Sequence, residues 1–214
     1  MKVLTKECIG GLIKTRIENS QKGDCGHSFL VLGGKCKMGA AIIAARACLR
    51  TGSGLLTVSV PQEERMVLQI AIPEAMLAIR ENYADNLNTF TAVGLGCGIG
   101  TGKESTQMLT HFIAENTSPL VIDADGLNII STHKNLFRSL PQNTILTPHT
   151  KEFDRLFGNH KSSQDRIKTA IEKAQEYKIV IVLKGHITLI TSSGEFFLIV
   201  QGTQGWPKGD LETP

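Results

Sequence analysis

The sequence predicts an α/β protein: a mostly parallel sheet sandwiched between helices, with an antiparallel hairpin at one edge. Three observations carry this. From Ser28 onward, short β-branched runs alternate with helix-spaced segments, as the crossover connections of a parallel sheet require. Ile179 to Leu183 (IVIVL) reads as a strand buried on both faces, and Ile187 to Thr191 with Phe196 to Val200 reads as a hairpin turned at Ser193-Gly194. The 214 residues, 41% of them hydrophobic, are enough for one large domain around a buried core.

In chain order, Met1 to Lys22 is expected to be a helical lead-in, since Leu4, Ile9, Leu12, Ile13 and Ile17 lean toward one face. Ser28 to Leu32 is the first strand. It ends at Gly33-Gly34, and the Ala- and Ile-rich run from Gly39 to Leu49 follows as a helix. Leu55 to Val60 is a strand stopped by Pro61, and Met76 to Ile79, Thr89 to Leu95, Leu120 to Ile122 and Thr144 to Leu146 continue the series. Glu104 to Ala114 and Arg166 to Tyr177 carry apolar residues at helical spacing and can cover the sheet. No internal repeat or low-complexity linker divides the chain.

Composition removes several classes of function. The 23 basic and 20 acidic side chains leave a net charge of +3, without the concentrated basic surplus that a phosphate backbone demands, so nucleic acid is not an expected partner. Arg46 and Arg50 interrupt the most apolar helical run well short of the roughly 18–20 residues of a bilayer span. Lys6 and Glu7 stand where a secretory signal needs apolar residues, so a cytoplasmic location is expected. The five cysteines form no C-x-x-C pair and are read as reduced thiols. Cys36 and Cys97 lie in glycine-rich loops and could be nucleophiles in principle, but the structural reading is favoured.

In an open parallel sheet ligands bind beyond the carboxyl ends of the strands, so the loops there decide function. Gly33 to Ala41 joins a strand to a helix that opens on small residues, leaving N–H groups open to an anion or a flat ring; a tight turn would use the same glycines. Gly94 to Gly102 has glycine at every second position, which fails the dinucleotide G-x-G-x-x-G register and the Walker spacing; ligand contact is favoured there over mere flexibility. Asp123-Ala124-Asp125-Gly126-Leu127-Asn128 sets two carboxylates after a strand, where they could hold magnesium or a polar ligand, or Asp125 could simply cap the next helix. Thr147-Pro148-His149 places a histidine at a helix start, as an acid or base or as a structural residue. Lys184-Gly185-His186-Ile187-Thr188 sets a lysine at a strand end, where it can neutralise phosphate or sit in a plain turn. These loops alone point to an α/β protein that binds a phosphorylated small molecule.

Taken in order, KGDCGH, GGKCKMGAAIIAARACLRTGSGLLTVSVP, Pro73-Glu74, GLGCGIG, DADGLN, TPHTKEF and KGHIT resemble the ADP- or ATP-dependent NAD(P)H-hydrate dehydratase family, a nucleotide-repair branch of the ribokinase-like three-layer α/β/α fold. The resemblance runs from Leu4 to Thr203, with Gln21 and Gly126 as mild departures. It implies a lyase that phosphorylates the C6 hydroxyl of hydrated NADH or NADPH and eliminates phosphate, with ADP or ATP as co-substrate and magnesium bridging the phosphates. Ala40, Ala41, Gly96, Gly98, Gly100 and His149 would line the hydrate pocket, and Asp123, Asp125 and Asn128 its polar side. Lys184, Gly185, His186, Ile187 and Thr188 would meet the nucleotide, and no side chain is assigned as a metal ligand. A homo-oligomer is expected, with an epimerase domain fused upstream in some relatives. Rival readings are a small-molecule kinase of the same fold and a nucleotide-binding remnant without activity.

The pattern breaks after Thr203. The resemblance calls for G-T-x-G-M-A-x-G-G-S-G-D, a glycine anion hole and the catalytic aspartate, where residues 204–214 read QGWPKGDLETP. A reading frame for G-T-P-G-M-A-K-G-G-S-G-D-A that loses one C from a CCCC run gives G-T-Q-G-W-P-K-G-D-L-E-T-P, so the tail is expected to be a frameshift product. Residues 1–22, 23–203 and 204–214 are then lead-in, incomplete catalytic domain and aberrant tail. Asp210 is the weak catalytic candidate, because in register the catalytic position falls on Thr213. Loss of the helices beyond it is expected to expose apolar surface on the sheet.

Overall fold

The computed structural model describes residues 2–11, 18–82 and 87–200. Asp210, and with it all of residues 204–214, lies outside the described residues.

Among the described residues ten strands form one sheet: β1 (Lys2–Val3), β2 (His27–Val31), β3 (Leu55–Val60), β4 (Met76–Ile79), β5 (Ala92–Leu95), β6 (Leu120–Ile122), β7 (Ile145–Leu146), β8 (Val180–Leu183), β9 (Ile187–Ser192) and β10 (Glu195–Val200). Their spatial order is β1-β10-β9-β8-β7-β6-β5-β2-β3-β4. Pairing is parallel from β4 across to β8, while β8, β9 and β10 run antiparallel to one another. The hairpin turns at Ser193-Gly194, with Ser192 opposite Glu195 and Gly194 at φ 96, where a side chain would be strained.

The lead-in differs from expectation at its start, while Leu12, Ile13 and Ile17 lie outside the described residues. Lys2–Val3 pairs in parallel with β10, and only the short α1 (Lys6–Gly10) is helical among the described residues before Lys22. Leu4 continues the pairing through its N–H to the Leu198 carbonyl, so the strand edge claims a segment whose apolar spacing suggested a helix. Thr89 also falls outside its expected strand, in a 3-10 turn over Leu87–Thr89.

Alternation along the strands sorts the core into two layers. On one face Phe29, Val31, Val93, Leu95, Ile122, Leu146 and Ile181 are buried under α4 (Lys103–Glu115), α5 (Asp125–Thr132), α6 (Thr150–Phe157) and α7 (Ser163–Tyr177). On the other, Leu56, Val58 and Val60 pack under α2 (Met38–Arg50) and α3 (Arg65–Ala71) through Ala41, Ala45 and Leu68. Among the described residues that second layer ends at β2. Beyond it, Gly94, Val121, Ile145, Val180 and Val182 point to the same side and are only half-buried. Among the described residues no helix is long and apolar enough to cross a membrane.

The strand order reverses between β2 and β5: β3 and β4 extend one way from β2, β6 to β8 the other. Loops leaving two strands at such a point diverge to opposite faces and open a crevice at the carboxyl edge.

Candidate functional site

The loops that follow β2 and β5 flank this crevice and are tied together, because the Gly33 N–H donates to the Cys97 carbonyl at 2.8 Å. Their glycines are there mainly for that packing. A Cβ on Gly34 would come within 2.9 Å of the Gly98 carbonyl, and one on Gly96 within 1.9 Å of the Asp123 carbonyl. Gly98 likewise sits against Lys37 and Ala40. Gly100 is different: its φ is +78, the nearest atom a Cβ would meet is Ser105 Oγ at 3.9 Å, and its N–H reaches the site. Ligand approach is therefore open at Gly100, while Gly96 is buried and occupied by neighbouring backbone.

Ala40 and Ala41 also part company. Ala40 is half-buried beside Gly98, whereas Ala41 is fully buried in the core beneath α2 and presents no surface to a ligand.

The Asp123–Asn128 turn holds the charged centre. Asp123, just past β6, accepts the Ala124 N–H at 2.8 Å and receives the Lys184 ammonium on both carboxylate oxygens at 3.0 Å. Ala124 caps α5 at φ 50, a strained backbone for a residue with a side chain. Asp125 is the first residue of α5 rather than its cap. Its Oδ2 accepts the Gly100 N–H at 2.8 Å and lies 3.4 Å from Lys37 Nζ. Asn128 faces away toward α6, where its Oδ1 accepts from Arg155 at 2.8 Å.

His149 is the N-cap of α6. Its Nδ1 accepts the N–H groups of Lys151 and Glu152 at 3.1 and 3.3 Å, so the ring carries its proton on Nε2, 3.5 Å from Glu152 Oε1. Glu152 closes a capping box by accepting the His149 N–H at 2.9 Å. This buried carboxylate was passed over in the sequence, though its place three residues after the cap is the signature of such a box. His149 pairs with Lys184 in an isolated parallel bridge, and the Lys184 N–H donates to the Pro148 carbonyl. Gly185 and His186 are exposed beyond it, while Ile187 and Thr188 enter β9 half-buried.

Beside this rim lies a cavity of 510 Å³, with Cys97, Asp123, Thr147 and Lys184 at the strand ends and Leu30, Gly94 and Val121 along the open sheet face. Burial, aided by Asp123, raises the pKa of the Cys97 thiol, which favours the neutral structural thiol over a nucleophile. Among the described residues no group of three or more His, Cys, Asp or Glu side chains could hold a metal ion. Both oxygens of Asp123 are taken by Lys184.

Residues 29–209 match the family model described as NAD(P)H-hydrate dehydratase. The ADP-dependent (S)-NAD(P)H-hydrate dehydratase of Neisseria meningitidis is 36% identical over 203 residues, covering 91% of this chain and 68% of the relative. The ADP/ATP-dependent NAD(P)H-hydrate dehydratase of Bacillus subtilis, crystallised with ATP/Mg2+, superposes with a TM-score of 0.82 at 26% identity, covering 94% of this chain and 73% of that one. A ribokinase-like superfamily protein from Enterococcus faecalis gives the same TM-score and identity, with 94% and 72% covered. Fold, strand-end loops and relatives agree: the chain belongs to the NAD(P)H-hydrate dehydratase family.

Proposed function

We propose that the crevice dehydrates the C6-hydrated forms of NADH and NADPH, using ADP and releasing AMP and phosphate. The observation that carries this reading is the convergence of five loops on one rim. Lys184 meets Asp123, Asp125 meets Gly100 and Lys37, and His149 pairs with the Lys184 backbone.

Hydroxide is a poor leaving group, so the C6 oxygen first attacks the terminal phosphorus of ADP and AMP departs. The ring nitrogen lone pair then assists C6–O cleavage, phosphate leaves with the bonding electrons, and a proton lost from C5 restores the ring double bond. Lys184 would neutralise the phosphate in flight, with Asp123 holding the ammonium in place. The Gly100 to Asp125 bond would fix the wall against which the hydrated ring lies, with Ala40 beside it and the His149 Nε2–H on the far side. Gly185 to Thr188 would follow the nucleotide. Magnesium would arrive bound to the nucleotide's phosphates, in keeping with a rim that offers few free carboxylate oxygens.

The segment after Thr203 is read as a shifted frame that lacks the family aspartate. General bases contribute roughly 100- to 10,000-fold, so the chain should bind both substrates and turn over at least about 100-fold more slowly than a frame-restored version. Incubating each protein with NADH hydrate, ADP and Mg2+ while following the reduced-ring absorbance tests this. A stable phosphate ester in place of recovered NADH would mark a small-molecule kinase. Binding of both ligands with no turnover would mark the remnant.

A further inference from the structure

Seven large hydrophobic side chains are exposed among the described residues, and four of them, Ile43, Met66, Val67 and Ile70, stand on the outer faces of α2 and α3. A fifth, Met76, begins the neighbouring edge strand β4, while Val3 lies in β1 at the opposite edge and Ile9 in the α1 that follows it. Single exposed apolar residues are ordinary; four on two helices packed against each other form a patch. No role described above uses it.

Local structure does not account for these residues. α2 and α3 are seated on the sheet through Ala41, Ala45 and Leu68, on their inner sides. Ile43 and Ile70 point outward and keep 72% and 76% of their surface in water. A β-branched side chain has no helix-forming advantage over the polar residues usual on a solvent face, so neither isoleucine strengthens its own helix. A covering partner would give both a function.

The charges around the patch say which partner. α2 and α3 each connect parallel strands and run in the same direction, and Arg46 of α2 donates through Nη2 to the carbonyl of Ala71, the last residue of α3, at 3.3 Å. Arg46 and the exposed Arg50 thus mark one end of the face, and Glu63 and Glu64, in the turn that leads into α3, mark the other. Arg65, beside those glutamates, donates back to the Gln62 carbonyl, and Glu74 is an exposed carboxylate at the arginine end. None of Arg46, Arg50, Glu63 and Glu64 is held in an ion pair among the described residues.

A two-fold axis normal to this face would lay the helix pair against its own reversed copy. Each arginine end then meets a glutamate end, the helix dipoles oppose, and the isoleucines meet at the centre. Self-complementarity of that kind is what an isologous contact requires, whereas an anionic membrane would be repelled by the glutamate end. We infer that the outer face of α2 and α3 docks a second copy of this chain in this antiparallel arrangement.

Sedimentation equilibrium of the 214-residue chain over a concentration series tests it, with dimerisation at micromolar concentration as the expected result. Ile43→Glu and Ile70→Glu place a good helix former at exposed positions, so the circular dichroism should be unchanged while each raises the dissociation constant by at least about tenfold, as loss of a central anchor does. Arg50→Glu and Glu63→Arg should each weaken the dimer, and the two together should restore it. A parent that stays monomeric overturns the inference. So does an association that both isoleucine variants leave unchanged, whether or not Val182→Glu, on the open sheet face, removes it. A charge-reversed pair that associates no better than either single variant overturns the antiparallel arrangement.

Discussion

Lys184, at the end of β8, reaches across β7 and donates to both carboxylate oxygens of Asp123 at the end of β6, each at 3.0 Å. The two side chains are 43% and 28% exposed, so the pair is partly screened by water. Its value lies in aiming the ammonium at the crevice, which leads to a separable pair of outcomes. Lys184→Met should weaken ADP binding by at least about tenfold, since it deletes a charge-assisted contact to phosphate. Asp123→Asn should change ADP affinity by less than about fivefold, the span of a partly exposed ion pair, because the ammonium is still present. Calorimetric titration of ADP distinguishes them, and equal losses would contradict the assigned roles.

His149 holds the first turn of α6 whatever its part in binding. His149→Ala should cost about 1 kcal/mol, the usual loss on deleting an N-cap, and lower the melting temperature by roughly 2–4 °C for a chain of this size. His149→Asn, which keeps a capping acceptor, should restore most of it. An alanine variant with unchanged stability would show that the two N–H bonds to Nδ1 are not formed in solution.

Asp154 links α6 to α7, receiving Arg166 at 2.6 and 2.9 Å and His160 at 2.8 Å. Hydrogen bonding from Arg166 holds its carboxyl below the ordinary value. A depressed carboxylate pKa contributes stability above the unfolded pKa of about 3.9, and that contribution is lost as pH falls through the lower folded value. Asp154→Asn should therefore be less stable than the parent at neutral pH and converge with it in acid, as pH falls through the lowered folded-state value. Denaturant titrations across that range check the sign. A gap that widens in acid would refute it.

The two sheet faces should respond differently to the same kind of change. Ile181 is fully buried under α7, whereas Val182 faces the open side. Ile181→Thr should cost about 2–4 kcal/mol through lost packing and a buried hydroxyl, and Val182→Thr less than about 1 kcal/mol. Chemical denaturation of both variants measures the difference, and equal costs would mean that the face is covered in solution.

Cys97 should resist alkylation at neutral pH, since burial and the Asp123 charge disfavour its thiolate, while the exposed Cys8 and Cys36 react first. Mass spectrometry after brief iodoacetamide treatment reads the order directly.

Much of this architecture was legible because apolar strand segments are bounded by turn residues: β3, β4 and β6 match their expected limits, and β3, stopped by Pro61, is buried along almost its whole length. The short α3 was missed because Met66, Val67 and Ile70 are exposed and blur its periodicity. Lys2–Val3 was missed because two residues carry no pattern, and only the partner strand β10 reveals them. In the site, the order of loops was readable but their division of labour was not. Glycines at 34, 96 and 98 suggested ligand approach, yet each is required by backbone packed against it from a loop distant in sequence. Arg80 gave no local signal, because its hydrogen bonds run to two strand-end carbonyls, of Leu32 and Ser59, distant in sequence.

The most direct measurement of the central claim is recovery of the reduced-ring absorbance when NADH hydrate is incubated with ADP, Mg2+ and the frame-restored chain, with AMP and phosphate counted in parallel. The account predicts one AMP and one phosphate for each NADH regenerated, and loss of that turnover with Lys184→Met. No recovery of absorbance, or a phosphorylated hydrate that persists without releasing phosphate, would contradict it.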